Sequence, residues 1–385
     1  MERQGLPKHI RTLITLPVTV APVISCYQSL AAGRLADRNA FDERVRSLRK
    51  GLSVQEQQDF DTALGRIEQI ISTELSRTSK GLAAFSRAGE QPFFLPLQFQ
   101  VPLPNWIAVD NIPNIYHLVE LKDTYHRYVV MLVTTESWRI LQVNVGAVTA
   151  TMWKERPELR DRVGREWSKV HFQRHRQERT RKFLKDAIGV LNQLMSTGGY
   201  THLILAGLPE MISLVQKNLP KHLQEQLIDT VTASGTSRLS DVVGATLTSF
   251  VEAEEQESRT TVANLMQQLR TGGLAVVGAG SSFRALCAGR VDVLVMSKEY
   301  DPGPGWSCAN CGHVDVESEA LEACPDCNAR DFRRFNTKEQ MVRKAEECDC
   351  TVEVVGQSDE LIHLGGVGCL LSYRLPDEYT RPNGS

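Results

Sequence analysis

The sequence predicts an α/β protein of three domains, residues 1–126, 127–250 and 251–385, with a small cysteine-bearing insertion at about 303–336. Three observations carry this. The chain's 385 residues exceed what one hydrophobic core supports. Short β-rich apolar runs alternate with stretches whose apolar residues recur at three and four, which is the pattern of strands and helices in turn. Four of the nine cysteines form two C-x-x-C pairs, a spacing that belongs to metal ribbons of reducing compartments.

In the first domain "PVISCYQSL" is expected as a strand and residues from Phe41 to Arg77 as a long helical region. Phe60, Leu64, Ile67, Ile70, Ile71 and Leu75 mark its buried face. "KGLAAFSRAG" reads as a strand closed by a turn, and "FFLPLQFQVPLPNWIAVDNIPNI" as strands interrupted by prolines. The second domain opens with "YVVMLVTT" and "WRILQVNVGAVTAT" as a hairpin. A basic helix, the buried strand "THLILAGL" and helices near 209–218 and 220–227 follow. "SFVEAEEQESRTTVANLMQQLRTGG" is an acidic connector helix ending at Gly272 and Gly273. The third domain then runs "LAVVGAG" strand, "SSFRALCAG" helix, "VDVLVMS" strand, and closes with the strands "CTVEVVG" and "GCLLSYRL".

With 42% hydrophobic and 23% charged residues the composition is that of a soluble globular chain, and a net charge of −2 excludes a protein basic all over. Any nucleic-acid surface must be local. Near the N-terminus, "RTLITLPVTVAPVISC" places basic residues before an apolar run, and "VISC" resembles a lipoprotein cleavage box. Pro17 and Pro22 interrupt the run, so a loop leading into the first strand, a cytoplasmic chain and no membrane span are expected.

Cys308, Cys311, Cys324 and Cys327 follow the pattern C-x2-C-x12-C-x2-C. Four thiolates close a tetrahedral shell around Zn2+, each pair supplying two ligands from one tight turn, for which Gly312 and Asn328 are suited. With every position filled by protein the zinc is structural. His313 is surplus to the shell. The remaining cysteines (Cys26, Cys287, Cys348, Cys350, Cys369) read as small buried hydrophobes.

From Arg160 to Lys185 there are ten Lys or Arg against three Asp or Glu. On a helix, Phe183, Leu184, Ala187, Ile188, Leu191, Leu194 and Met195 share one side, with Arg174, Arg181, Lys182 and Lys185 roughly opposite. Such a run is often a solvated face, but a solvated face mixes Glu with Lys, and the excess of one sign favours a polyanion. Trp167 among arginines suits stacking on a nucleobase, and equally a Trp that anchors a loop to the sheet. "GAGSSF" after a strand has neither the Lys of a Walker motif nor the third Gly of a dinucleotide fingerprint, and is a tight strand-to-helix turn. "GGY" at 198–200 is a helix C-cap. His171 and His175, one turn apart, suit a phosphate better than a metal amid so many cations. No Ser, His and Asp fall into a nucleophile context such as G-x-S-x-G.

The order of these segments resembles the class-1 peptide-release factors of archaea and eukaryotes and their relative Pelota, in the bacterial branch of that superfamily. "KGLAAFSRAG" is similar to the family's "NGL" strand, and "HRYVVMLVTTESWRILQVNVG" and "THLILAGLPEMISLVQKNLP" to the opening of its middle domain. "FRALCAGRVDVLVMSKEY" resembles its third-domain helix and strand, "GGVGCLLSYRL" its terminal "GGIGAILRY", and the cysteine pairs stand where archaeal members carry a small zinc-bearing insertion. The family's catalytic Gly-Gly-Gln lies at a loop tip just before the middle domain's basic helix. Here "VGREWSKVHFQR" puts Arg165, Glu166 and Trp167 there, without the two glycines that let a backbone approach the tRNA end. The stop-codon motif Asn-Ile-Lys-Ser is also missing.

The resemblance therefore implies a release-factor body without catalytic residues. It implies a ribosome-binding factor that occupies the A site, of the hibernation type typified by the Balon-like factors. Arg160, Arg162, Arg165, Glu166, Trp167, Lys169, His171, Arg174, Arg176, Arg181, Lys182 and Lys185 would face ribosomal RNA. The third domain would dock a translational GTPase such as EF-Tu. Neither DNA nor a membrane is expected as a partner. Two rival readings are a divergent peptidyl-tRNA hydrolase for release or rescue, and a zinc-ribbon RNA-binding module with no ribosomal role.

Overall fold

The computed structural model describes residues 5–155, 169–316 and 322–373, with the helical backbone alone for residues 169–177. It divides into two compact units, one of Met1–Thr124 with Glu255–Ser385, the other Tyr125–Glu254. The architecture is mixed α/β.

The chain begins with a helix, α1 (Gly5–Ile14), where a loop was expected. Leu6, Ile10 and Leu13 fall on one side of it and are buried. Strand β1 (Val23–Ala31) follows, then a short β2 (Arg34–Leu35). The expected single helical region is two helices, α2 (Arg38–Lys50) and α3 (Val54–Thr73). They part at Ser53, whose side chain caps the Glu56 amide while Glu56 reaches back to the Ser53 amide. Strands β3 (Gly81–Arg87), β4 (Phe93–Phe99) and β5 (Trp106–Asp110) complete an antiparallel sheet of order β2-β1-β3-β4, with β5 paired to Val23–Tyr27 of β1 on the edge away from β3. Phe60, Ala63, Leu64 and Ile67 of α3 pack on Ile24, Cys26 and Ala84 of this sheet. Helix α4 (Tyr116–Thr124) ends the segment.

In the second unit, β6 (Tyr128–Val133), β7 (Ser137–Asn144) and β8 (Ala147–Glu155) form a meander rather than one hairpin. The second turn is Val145-Gly146, both with positive φ (49° and 68°), a pairing that matches the twist of the flanking strands. Helix α5 (Lys169–Gly198) crosses to β9 (His202–Gly207), which pairs parallel with β6. After α6 (Pro209–Asn218) and α7 (Lys221–Glu225), β10 (Leu227–Thr232), a strand not expected from sequence, adds parallel to β9. The sheet order is β10-β9-β6-β7-β8. Alternation splits β6 between two cores. Val129, Met131 and Val133 meet α5 and α6 on one face, and Tyr128, Val130 and Leu132 meet Val242, Val243 and Phe250 of α8 (Leu239–Arg270) on the other.

Residues of α8 beyond Glu254 belong to the first unit, where Val262, Leu265 and Met266 pack on a four-stranded sheet. Its strands are β11 (Ala275–Val277), β12 (Val291–Ser297), β16 (Thr351–Val355) and β17 (Val367–Leu371), in the order β11-β17-β12-β16; helix α9 (Ala279–Cys287) joins the first two. The turn into α9 is the tight one expected, with Gly278 at φ 84°. Between β12 and helix α10 (Thr337–Glu347) stands a separate sheet of order β14-β13-β15, from β13 (Pro304–Cys308), β14 (Val314–Asp315) and β15 (Phe332–Asn336). A short helix, α11 (Asp359–His363), precedes β17.

Polar contacts tie the N-terminal and C-terminal segments into one unit. Glu339 of α10 accepts the Ile115 and Tyr116 amides at 2.6 and 3.0 Å, capping α4, and Arg343 donates to the carbonyls of Ile14 (2.7 Å) and Pro113 (3.2 Å). Asp123 accepts the Val354 amide at 2.8 Å, and Lys122 pairs with Glu346. Cys26, Cys350 and Cys369 are buried as expected, but Cys287 and Cys348 are exposed, at the end of α9 and just after α10. Among the described residues no helix is long and apolar enough to cross a membrane.

Candidate functional site

Helix α5 is set by its apolar stripe. Phe183, Leu184, Ala187, Ile188, Leu191 and Met195 are buried against the sheet, with Leu194 partly buried beside them. Each large apolar side chain so buried contributes about 1.5–3 kcal/mol, enough to hold the helix whatever its other side carries. That other side carries cations. Arg179, Arg181, Lys182 and Lys185 are exposed, with Glu178 and Asp186 the only described acids among them. Asp186 lies 3.5 Å from Lys154 of β8, so it is shared with a further cation. Among the described residues no carboxylate pairs with Arg181, Lys182 or Lys185, and their charge is available to an outside partner.

Of the residues expected to face RNA, Arg181, Lys182 and Lys185 are thus exposed on one helical surface. Lys169, His171, Arg174 and Arg176 lie on the backbone of the same helix, with side chains outside the described residues. Arg160, Arg162, Arg165, Glu166 and Trp167 lie outside the described residues altogether. One residue escaped sequence reasoning. Trp153, on the edge strand β8, is 60% exposed and by alternation points to the face opposite Lys154 and α5, where its ring is open to a stacking partner. Its alternation in β8 was readable, but only the sheet order shows that β8 is the edge strand among the described residues.

The second candidate is the cysteine cluster. The sulfur atoms of Cys308, Cys311, Cys324 and Cys327 lie within 4.8 Å of one another. Cys308–Cys327 and Cys311–Cys324 are 3.5 and 3.4 Å apart. A tetrahedral thiolate shell with metal–sulfur bonds of about 2.3 Å has edges near this length, about 3.8 Å. The two knuckles are built alike. The Gly312 amide returns to the Cys308 carbonyl (3.0 Å) and the Asn328 amide to the Cys324 carbonyl (2.8 Å), with Gly312 and Asn328 both at positive φ, 76° and 59°. Donation from the Asn310 side chain first, then from the Ala329 amide, lowers the Cys327 thiol toward the thiolate that a metal needs, while its neighbour Cys311, against the pull of the His313 backbone amide, is raised in turn by sharing a proton with the other sulfurs. His313 pairs with Asp326 at 2.8 Å, bridging the knuckles without entering the shell. The four cysteines fit a metal ion, and their chemistry suits a closed structural site.

Residues 113–250 match the model of bacterial archaeo-eukaryotic release factor family 10. The chain is similar to peptide chain release factor subunit 1 of Thermococcus sibiricus, 25% identical over 231 residues that cover 53% of this chain and 56% of that protein. It is similar to the Pyrococcus abyssi protein of the same name at 24% over the same length. The chain spans little more than half the length of the curated relatives it matches. Among solved structures it is similar to archaeal Pelota in a model of ribosome-bound Pelota and ABCE1, at 12% identity and TM-score 0.41, covering 98% of this chain and 96% of that one. It is also similar to S. cerevisiae Dom34, a translation termination-like factor involved in RNA quality control pathways and interacting with Hbs1, at 11% identity and TM-score 0.40, covering 78% and 83%. The family match falls on the stretch that holds the central sheet and α5, and over that stretch the chain is similar to the release factor/Pelota superfamily, in its bacterial branch.

Proposed function

We propose that this chain is a ribosome-binding factor that occupies the A site and holds translation idle, in the manner of the Balon-like hibernation factors, without peptide-release chemistry. The observation that carries the reading is one of sequence. Directly before the cationic helix, where the superfamily places Gly-Gly-Gln, this chain has Arg165, Glu166 and Trp167. Three bulky side chains there leave contact with RNA as the use of that segment and remove the backbone freedom that the release reaction needs.

In this reading the three domains 1–126, 127–250 and 251–385 have separate tasks. The first stands on the decoding side without reading stop codons. The central one lays α5 on ribosomal RNA phosphates through Arg181, Lys182 and Lys185, with Arg160, Arg162, Arg165, Lys169, His171, Arg174 and Arg176 as further RNA-binding residues. Glu166 and Trp167 touch the RNA beside them. The third docks a translational GTPase such as EF-Tu, and Zn2+ held by Cys308, Cys311, Cys324 and Cys327 fixes its ribbon. The chain acts in the cytoplasm.

The test is a release assay on ribosomes carrying peptidyl-tRNA. The expected result is co-sedimentation with the ribosome and no peptide released. Release that disappears when Glu166 or Trp167 is changed would establish the hydrolase reading instead.

A further inference from the structure

Within the second unit, three elements bring two imidazoles and a carboxylate to one end of the central sheet. His126 stands just before β6, His202 opens β9, and the register of these parallel strands sets His202 opposite Tyr128. Phe250 of α8 stacks on Tyr128, with 4.5 Å between ring centroids and 13° between planes, and meets His202 edge-on at 5.5 Å. Glu254 lies one turn further along α8, on the same side as Phe250, and is thereby carried to both imidazoles. Its Oε2 is 2.9 Å from His126 Nδ1, and its Oε1 is 3.5 Å from His202 Nδ1.

Glu254 is 8% exposed, and its Oε1 has no hydrogen-bond partner among the described residues. A carboxylate withdrawn from water needs a counter-charge, and among the described residues no Lys or Arg pairs with this one. His202 is buried, whereas the His126 side chain is 45% exposed, so the group opens to solvent on one side. The spacing suits a metal ion. Bonds of about 2.0–2.1 Å from imidazole nitrogen and carboxylate oxygen to a tetrahedral ion put neighbouring ligand atoms about 3.3 Å apart, between the two separations found here. Glu257, three residues beyond Glu254 on the same side of α8, offers a further carboxylate.

We propose that His126, His202 and Glu254 bind an exchangeable divalent transition-metal ion, which takes His202 Nδ1 in place of the Thr201 hydroxyl that lies 2.8 Å from it. The ion supplies the charge that the buried carboxylate lacks. Two imidazole ligands favour Zn2+ over Ca2+ or Mg2+, whose ligands are oxygens. With three protein ligands, one of them exposed, the shell is open where the four-thiolate ribbon is closed, and the ion leaves on dialysis. This inference concerns the second unit alone and does not need the ribosomal reading.

The test is calorimetric titration of the full chain with Zn2+, after dialysis into metal-free buffer that leaves the ribbon its own ion. One further equivalent of Zn2+ should bind, with Ca2+ and Mg2+ weaker by about 100-fold. Glu254→Gln and His126→Asn should each weaken that equivalent by about 100-fold or more, since losing even a group that only supports a ligand costs about 10–100-fold. Cys348→Ser, which removes an exposed thiol, should leave it unchanged. Thermal melts show that each variant is folded, and added Zn2+ should raise the melting temperature of the wild-type chain but not of Glu254→Gln. Absence of the further equivalent, equal binding of Ca2+, its loss in Cys348→Ser, or its retention in a folded Glu254→Gln or His126→Asn chain would each overturn the proposal.

Discussion

Two long helices lie on opposite faces of the same central sheet, and the difference between them separates what folds this unit from what it is for. Helix α5 buries Phe183, Leu184, Ala187, Ile188 and Leu191; helix α8 buries Val242, Val243 and Phe250. By the rule of the apolar stripe they are equivalent. Their polar residues are not. Along α5 there are seven Lys or Arg and two acids, and along α8 as far as Glu254, the part that lies on this sheet, no Lys or Arg and three acids. Since either charge pattern is compatible with the packing, the sign on α5 is not required by the fold, and the proposed RNA contact would account for it.

The largest effect expected lies outside both helices and serves as their control. Metal analysis should find one zinc per chain. Stripping it, or Cys308→Ser, should abolish the ordered ribbon, since structural zinc binding is worth about 10 kcal/mol or more. The melting of the central unit and the salt dependence carried by α5 should be untouched. Loss of that salt dependence along with the metal would move the RNA-binding role from α5 to the ribbon.

Reversing Arg181, Lys182 and Lys185 to Glu should weaken ribosome binding by about 10²–10³-fold and flatten the slope of log affinity against log salt by about three. Reversing Glu252 and Glu255 of α8 to Lys should change neither. An equal response from both helices would mean that only overall charge matters. Truncating the buried side should erase the distinction: Leu191→Ala in α5 and Phe250→Ala in α8 should each cost about 3–5 kcal/mol in chemical denaturation.

A smaller effect contrasts charge that binds with charge that holds. Burial pushes the Glu339 carboxyl up to about 7, against the pull of its two amide donors and Arg343. A carboxyl with a raised folded value stabilises fully below its unfolded value and loses that contribution as pH rises through about 7. The first unit should therefore melt at lower temperature at pH 8 than at pH 5.5, by about 1–3 kcal/mol in stability, and Glu339→Gln should remove the dependence.

Much of this was legible because the signals were local. The α5 stripe, the two C-x2-C pairs with Gly312 and Asn328 in the knuckle turns, and the Gly278 turn are each written within a few residues. The missed features have two causes. Some were short: α1 needs only Leu6, Ile10 and Leu13, and the Val145-Gly146 turn hid inside an apolar run. Others depend on distant partners. Glu339 meets Ile115, and Lys338 meets Tyr116, across more than two hundred residues, and no periodicity reports such a meeting. Trp153 is informative only once β8 is known to be the sheet edge.

The most direct test of the account is a cryo-EM map of the chain added to ribosomes with an empty A site. It should show the chain in that site, with Arg181, Lys182 and Lys185 at ribosomal RNA phosphates and α8 turned away from them. Density elsewhere on the ribosome, or α8 in place of α5 against the RNA, would contradict it.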